Sequence, residues 1–183
     1  PDFYQGTELW DFSLVDPDNR RPVDYAKRKE MLDSICRQAR ENLPELLNEL
    51  LATRQDGRIK MYLVWKGLQA RNRLTRLFAS GRYVPLSVQG RHSRHLLAFA
   101  REYQGQWVVV LAPRLVTSLM DADQLPCGRE IWGDTRVLLT EGAPGGWREC
   151  LSERRLQGQG RLVAGEVLER FPAGLLESEG EEG

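Results

Sequence analysis

An α+β chain, with a helical first part and an antiparallel β-sandwich after it, is the fold class that this sequence predicts. Three observations carry the prediction. Apolar residues recur at helical spacing between Tyr25 and Ala79. After Gly81 the period falls from 3.6 to 2. The short segments that follow are divided by Gly/Pro turns with no helical pattern between them, which favours antiparallel packing.

Residues 1–24 are aromatic, acidic and turn-rich. Pro17 and Pro22 fix φ, and Asp16, Asp18 and Asn19 can bond their own backbone, so the stretch predicts a structured loop. Met31, Leu32, Ile35 and Ala39 then predict a helix from Tyr25 to about Arg40, with Asp24 as its N-cap. Pro44 opens a second, Glu45 to Thr53, ended by Gln55-Asp56-Gly57. Ile59, Leu63, Gly67, Ala70, Leu74 and Leu77 trace the stripe of a third, from about Arg58 to Ala79, with Gly81 as its stop. Gly67 within the stripe predicts a neighbouring backbone passing close by. Strands are expected at Tyr83–Val88, Leu96–Glu102, Gln106–Ala112 and Asp134–Thr140, and in a final Val163–Leu176 region; the second and third form a hairpin across Tyr103-Gln104-Gly105. From Glu177 the acidic end predicts a frayed, solvated tail.

The chain has 183 residues, 41% hydrophobic and 28% charged, which excludes collagen-like, mucin-like and wholly disordered classes. No apolar run approaches the roughly 18 residues of a membrane span, so no membrane partner is expected. Pro1-Asp2-Phe3-Tyr4 is no signal peptide and carries no initiating Met, as expected of a piece of a larger chain. Cys36, Cys127 and Cys150 have no CxxC spacing and predict reduced thiols in the cytoplasm.

Lysine and arginine total 26 and so do aspartate and glutamate, yet residues 58–101 hold ten cations and no carboxylate. Lys60, Lys66, Arg71, Arg73 and Arg76 fall on the polar face of the third helix, and without interleaved aromatics they predict a solvated face and no nucleic-acid partner. His92 and His95 form an HxxH with no third histidine, so no metal site is expected. GxSxG, GxGxxG and Walker patterns are absent, and no cofactor is expected. Trp107 alternates with valines and reads as core; Trp132 and Trp147, beside glycines, are better placed for exposure, though packing remains the favoured role.

The first 24 residues mix Tyr4, Gln5, Glu8, Asp16, Asn19, Arg20 and Arg21 with Phe3, Trp10 and Phe12. Sugars are held by such mixtures, in which planar polar groups chelate hydroxyls and aromatic faces cover C–H surfaces. A rigid loop in which Arg20 and Arg21 pair with Asp16 or Asp24 accounts equally well for the composition.

Pro1-Asp2-Phe3-Tyr4-Gln5-Gly6-Thr7-Glu8 resembles the segment after the eighth barrel strand in the α-amylase family, and Asp16-Pro17-Asp18-Asn19-Arg20-Arg21-Pro22-Val23-Asp24-Tyr25 resembles the stretch that follows it there. Glu8-Leu9-Trp10-Asp11-Phe12-Ser13-Leu14-Val15-Asp16 is similar to the trehalose-forming branch of that family. So are Asp56-Gly57-Arg58-Ile59-Lys60, Gly81-Arg82-Tyr83-Val84-Pro85-Leu86 and Trp132-Gly133-Asp134-Thr135.

The resemblance implies that residues 1–80 end a (β/α)8 barrel, 81–176 form a C-terminal β-sandwich and 177–183 an acidic tail. It implies a retaining enzyme that isomerises the reducing-end α-1,4 bond of a malto-oligosaccharide to an α,α-1,1 linkage. The partners implied are that substrate and the upstream barrel of the same polypeptide. The family's catalytic carboxylates belong to strands before Pro1, so no catalytic residue is assigned and this chain alone is expected to be inactive. Tyr4, Gln5, Glu8, Asp16, Asn19, Arg20 and Arg21 are the expected substrate-rim residues. Two alternatives stay open: an α-glucan hydrolase or glucanotransferase, and a non-catalytic glucan-binding module with Trp132 or Trp147 as a platform.

Overall fold

The computed structural model describes residues 2–121 and 123–179. It divides into two compact units, Pro1–Gln69 and Ala70–Gly183, a division that falls inside the third helix and not near Gly81.

In the first unit a turn-rich loop leads into α1, Tyr25–Glu41. Asp24 caps it as the sequence predicts, its Oδ1 accepting the Lys27 N–H at 2.9 Å. Helix α2, Leu43–Ala52, starts two residues before its expected Glu45, because Asn42 is its cap and Pro44 suits its first turn. Ile35 of α1 and Leu46, Leu47 and Leu50 of α2 are buried.

The expected third helix is two helices, α3 (Arg58–Arg73) and α4 (Thr75–Ser80). The break lies at Leu74, where the Thr75 hydroxyl donates to the Asn72 carbonyl at 2.8 Å and offers the backbone an alternative to the ladder. The buried stripe also differs. Ile59, Tyr62, Lys66 and Ala70 are buried, while Leu63 is 38% exposed. Nothing lies within 4 Å of a Cβ built on Gly67, so no backbone crosses there. Lys66 leaves the predicted solvated face because its long apolar stem can be buried while its ammonium lies 5.6 Å from the Trp65 ring centroid. Gly81 stops α4 in an extended conformation (φ −66°); a Cβ there would sit 2.9 Å from the Glu102 carbonyl oxygen.

The second unit continues with β1 (Arg82–Pro85), β2 (Val88–Gln89), β3 (Leu96–Tyr103), β4 (Gln106–Pro113), α5 (Gly128–Trp132) and β5 (Arg136–Leu138). After these come β6 (Gly146–Glu149), β7 (Arg155–Gln157), β8 (Arg161–Val163), α6 (Ala164–Val167) and β9 (Gly174–Ser178). They form two antiparallel sheets, in the orders β1-β3-β4-β9-β6-β7 and β2-β5-β8. The β3–β4 hairpin turns where expected. Tyr103 pairs with Gln106, and Gln104 and Gly105 both take positive φ, which matches the right-handed twist of the strands.

Four sequence expectations are corrected here. Tyr83–Val88 is split between the two sheets. Strands β6 and β7 went unread because each has only three or four residues. Two one-turn helices, α5 and α6, interrupt what reads as pure strand. The tail expected from Glu177 begins later: Glu177 pairs with Val108 and Arg148, and Ser178 with Trp147, so both belong to β9. Residues 180–183 lie outside the described part. Both sheets feed one apolar core around Trp107, Trp132 and Trp147, with Val84 and Val109 from one sheet and Val137 and Leu162 from the other.

Candidate functional site

The loop before α1 encloses, with the α2–α3 connection, a cleft of ≈ 490 Å³ in the first unit. Sequence-distant backbone holds it open. Trp10 Nε1 donates to the Arg54 carbonyl at 2.7 Å. The Lys60 ammonium donates to the Leu9 carbonyl at 3.2 Å and lies 5.6 Å from the Trp10 ring centroid. Gly57 sits at φ +82°, and a Cβ on it would meet the Trp10 amide nitrogen at 2.8 Å.

Arg28 of α1 ties the front of the loop. Its Nε donates to Glu8 Oε2 at 3.0 Å and its Nη2 to the Gly6 carbonyl at 2.8 Å. Arg58 does the same for the α2–α3 connection, reaching Glu49 at 2.6 Å and Asp56 at 2.7 Å.

The seven residues expected at a substrate rim separate into two groups. Gln5, Asn19 and Arg21 line the cleft. Tyr4, Glu8, Asp16 and Arg20 do not. Glu8 is taken by Arg28, Asp16 and Arg20 pair with each other, and the Tyr4 hydroxyl donates to the Asn19 carbonyl at 3.4 Å. Arg21 pairs with Asp18 and Gln5 Oε1 accepts from the Tyr25 hydroxyl at 3.3 Å. The ion-paired loop is therefore real, and it frames the cleft. Asn19 differs: its Oδ1 is buried without a hydrogen-bond partner. Trp10 and Phe12, 44% and 89% exposed, add aromatic faces to the wall. Lys27, Gln55 and Asp56 also line it. Lys27, Gln55 and Arg28 had no local signal in the sequence, since their roles exist only once α1 and the α2–α3 connection meet the loop.

Three carboxyl groups around this loop are held below the ordinary carboxylate range. Asp11 is lowered by hydrogen bonds from Ser13, and Asp18 by the Leu14 N–H and then by Arg21. Burial pushes Asp56 up, but the Arg58 N–H and guanidinium outweigh it. These groups stay ionised at neutral pH. They can accept hydrogen bonds and attract cations, and they hold no proton to donate as a general acid.

The other candidates resolve differently. Trp132 and Trp147 are fully buried, which overturns their exposure and with it a binding module using either as a platform. The Trp132 Nε1 donates to the Pro126 carbonyl at 2.9 Å. His95 is buried with its Nδ1 3.2 Å from the Leu115 carbonyl oxygen. Among the described residues there is no group of three or more His, Cys, Asp or Glu side chains able to hold a metal ion. No described helix is long and apolar enough to cross a membrane.

No family model matches the chain. Two curated proteins of Mycobacterium tuberculosis, from the CDC 1551 and H37Rv strains and named provisionally as maltooligosyl trehalose synthase, are each 30% identical to it over 176 residues. That alignment takes in 96% of this chain and 18% of each relative. A solved structure of the S44P mutant of maltooligosyltrehalose synthase from Arthrobacter ramosus matches with a TM-score of 0.70 and 35% identity, over 97% of this chain and 20% of that one. The chain thus spans about a fifth of the length of the proteins it matches. In sequence and in fold, this chain is a homologue of one segment of maltooligosyltrehalose synthase.

Proposed function

We propose that this chain is the C-terminal part of a maltooligosyltrehalose synthase and supplies one wall of its substrate cleft. Residues 1–80 end a (β/α)8 barrel in this reading, and the antiparallel sheets close the protein as a C-terminal β-sandwich. The full-length enzyme converts the reducing-end α-1,4 bond of a malto-oligosaccharide to an α,α-1,1 linkage by retaining intramolecular transfer, with its catalytic carboxylates contributed by the rest of the polypeptide. Three free cysteines fit the reducing cytoplasm.

The observation that carries the reading is the cleft wall to which Gln5, Trp10, Phe12, Asn19 and Arg21 contribute. A homologue of one segment of a glucan-active enzyme has a cleft lined by polar and aromatic side chains, the mixture that holds sugar hydroxyls and C–H faces. Trp10 and Phe12 cover sugar C–H faces, and the Arg28 and Arg58 ion pairs keep the wall rigid, as a site that retains glucose and excludes water requires.

The test follows reducing ends while the full-length protein acts on maltopentaose. A fall with little free glucose supports the synthase; a rise means hydrolysis, and the reading gives way to an α-glucan hydrolase. This chain alone should show no turnover. Phe12→Ala in the full-length protein should raise KM several-fold, up to about tenfold, the cost of one aromatic face lost against a bound sugar. An unchanged KM removes Phe12 from the substrate's path.

A further inference from the structure

Lys60 is among the cations that the sequence places on a solvated face of the third helix. The fold uses it otherwise. It is half-buried in the first turn of α3, and its ammonium donates to the Leu9 carbonyl at 3.2 Å, across 51 residues of sequence. The same ammonium lies 5.6 Å from the Trp10 ring centroid, within reach of a cation–π attraction. The Ser13 hydrogen bonds do most to hold Asp11 below the ordinary carboxylate range, and the Lys60 charge adds to them. One side chain thus acts on three consecutive loop residues, Leu9, Trp10 and Asp11. All three line the cleft, and Lys60 itself does not.

The other cations tied to this loop act differently. Arg28 lines the cleft itself while it holds Glu8 and the Gly6 carbonyl. Arg58 stays outside the cleft and spends its guanidinium on Asp56, Glu49 and the Thr53 hydroxyl, at 2.7, 2.6 and 2.9 Å. Its bonds fix the α2–α3 connection and reach no aromatic wall residue. Lys60 is the cation that reaches Trp10.

Trp10 needs such a contact. Its side chain is 44% exposed on a loop. The Arg54 carbonyl holds one corner of the indole, through Nε1, and Gly57 packs against the Trp10 backbone amide. A hydrogen bond at one corner leaves the tilt of a ring to whatever lies near it. Lys60 supplies that contact and also pins the carbonyl that precedes Trp10, so the ring is tied to α3 as well as to the α2–α3 connection. An aromatic side chain fixed before the substrate arrives binds more tightly than one that must be ordered on binding, because the entropy cost is already met.

We infer that Lys60 is a positioning residue for substrate binding, which sets the pose of Trp10 on the cleft wall from outside the cleft. The inference rests on the reading of this cleft as a malto-oligosaccharide wall. It assigns a role in affinity to a side chain that touches no sugar, and it names Trp10 as the residue through which that role is exerted.

The test is the split between KM and kcat for maltopentaose in the full-length protein. Lys60→Met keeps the long stem and removes the charge and the donor; it should raise KM about fivefold and leave kcat within about twofold. Lys60→Gln, which keeps an N–H without the charge, should raise KM as well and serves if the Met variant does not fold. Lys60→Arg keeps a cation and its donors and should stay within about twofold of the parent in KM. In a Trp10→Ala background, Lys60→Met should change KM by less than about twofold, since no ring is left to position. KM does not depend on how much of the protein is folded, so lost stability alone moves none of these ratios. An unchanged KM in Lys60→Met and Lys60→Gln, a Lys60→Arg variant as impaired as Lys60→Met, or the same fold-change with and without the Trp10 ring would each overturn the inference. KM is readable on either reaction. A rise in reducing ends with the parent would therefore remove the synthase reading and leave this test in place.

Discussion

The indole N–H of Trp10 donates to the backbone carbonyl of Arg54 at 2.7 Å, across 44 residues of sequence. That bond fixes the aromatic side of the cleft wall to the α2–α3 connection, and Gly57 stands beside it because the Trp10 backbone leaves no room for a side chain. The shape of the wall depends on this crossing.

Gly57→Ala should therefore destabilise the chain by more than about 1 kcal/mol, because it forces a Cβ both onto a positive φ and against backbone that cannot yield. The urea midpoint should fall. In the full-length protein, KM for maltopentaose should rise as the Trp10 edge shifts. A variant as stable as the parent would mean that the Trp10 segment does not lie against Gly57.

The two buried tryptophans should respond differently to phenylalanine. Trp132→Phe leaves the Pro126 carbonyl without its donor and should cost about 1–3 kcal/mol. Trp147 Nε1 is buried with no hydrogen-bond partner, so Trp147→Phe removes an unsatisfied N–H and should cost less than the Trp132 change. Chemical denaturation of the two variants gives the order directly. Equal losses would mean that ring volume alone matters at both sites.

Glu149 is almost fully buried in β6, where it accepts N–H bonds from Leu151 at 3.1 Å, Ser152 at 2.7 Å and Leu175 at 3.3 Å, and the Ser152 hydroxyl at 2.6 Å. Burial raises its pKa above the ordinary 4.5, and these four donors only partly offset it. The folded state then binds the proton more tightly than the unfolded one, so this group's contribution to stability falls as pH rises from 4.5 through the folded pKa. Glu149→Gln cannot titrate. The stability of the parent minus that of Glu149→Gln should decrease with pH across that window, as read by urea midpoints at successive pH values. A flat difference would show that Glu149 does not titrate differently on folding.

All three thiols should resist modification in the native chain. Burial pushes Cys127 up to about 12 and raises Cys36 and Cys150 as well, so little thiolate exists at pH 8. An aromatic disulfide reagent should react slowly until denaturant is added, and then with all three. A fast thiol in the native state would locate a region that opens more readily than the rest.

Helix α1, its Asp24 cap, the β3–β4 hairpin and the core role of Trp107 were all legible in the sequence, because each depends on residues within a few positions of one another. So was the Asp16–Arg20 ion pair in the first loop, four residues apart; Arg21, expected on Asp16 or Asp24, pairs instead with Asp18, because Asp24 is taken as the cap of α1. The resemblance to the trehalose-forming synthases is matched by the comparisons, which cover 96–97% of the chain. Short-range periodicity misjudged elements whose neighbours come from afar. Gly67 has open space where a crossing backbone was expected, and Lys66 is buried on a face that reads as solvated. Glycines beside Trp132 and Trp147 suggest exposure, yet both rings fill the core between strands with no hydrophobic run of their own.

The sequence by itself determined the class of each half, the change of period after Gly81 and the polar and aromatic character of the first loop. Only the tertiary structure decided which of these residues share a cleft. Gln5, Asn19 and Arg21 share a cleft with Trp10 and Asp56, whereas Glu8 is held by an arginine twenty residues away. Periodicity and capping are local properties that neighbouring residues fix. A cleft wall and an ion pair between a loop and a distant helix are set by which groups the packed backbone brings within a few ångströms, and no spacing in the sequence encodes that distance.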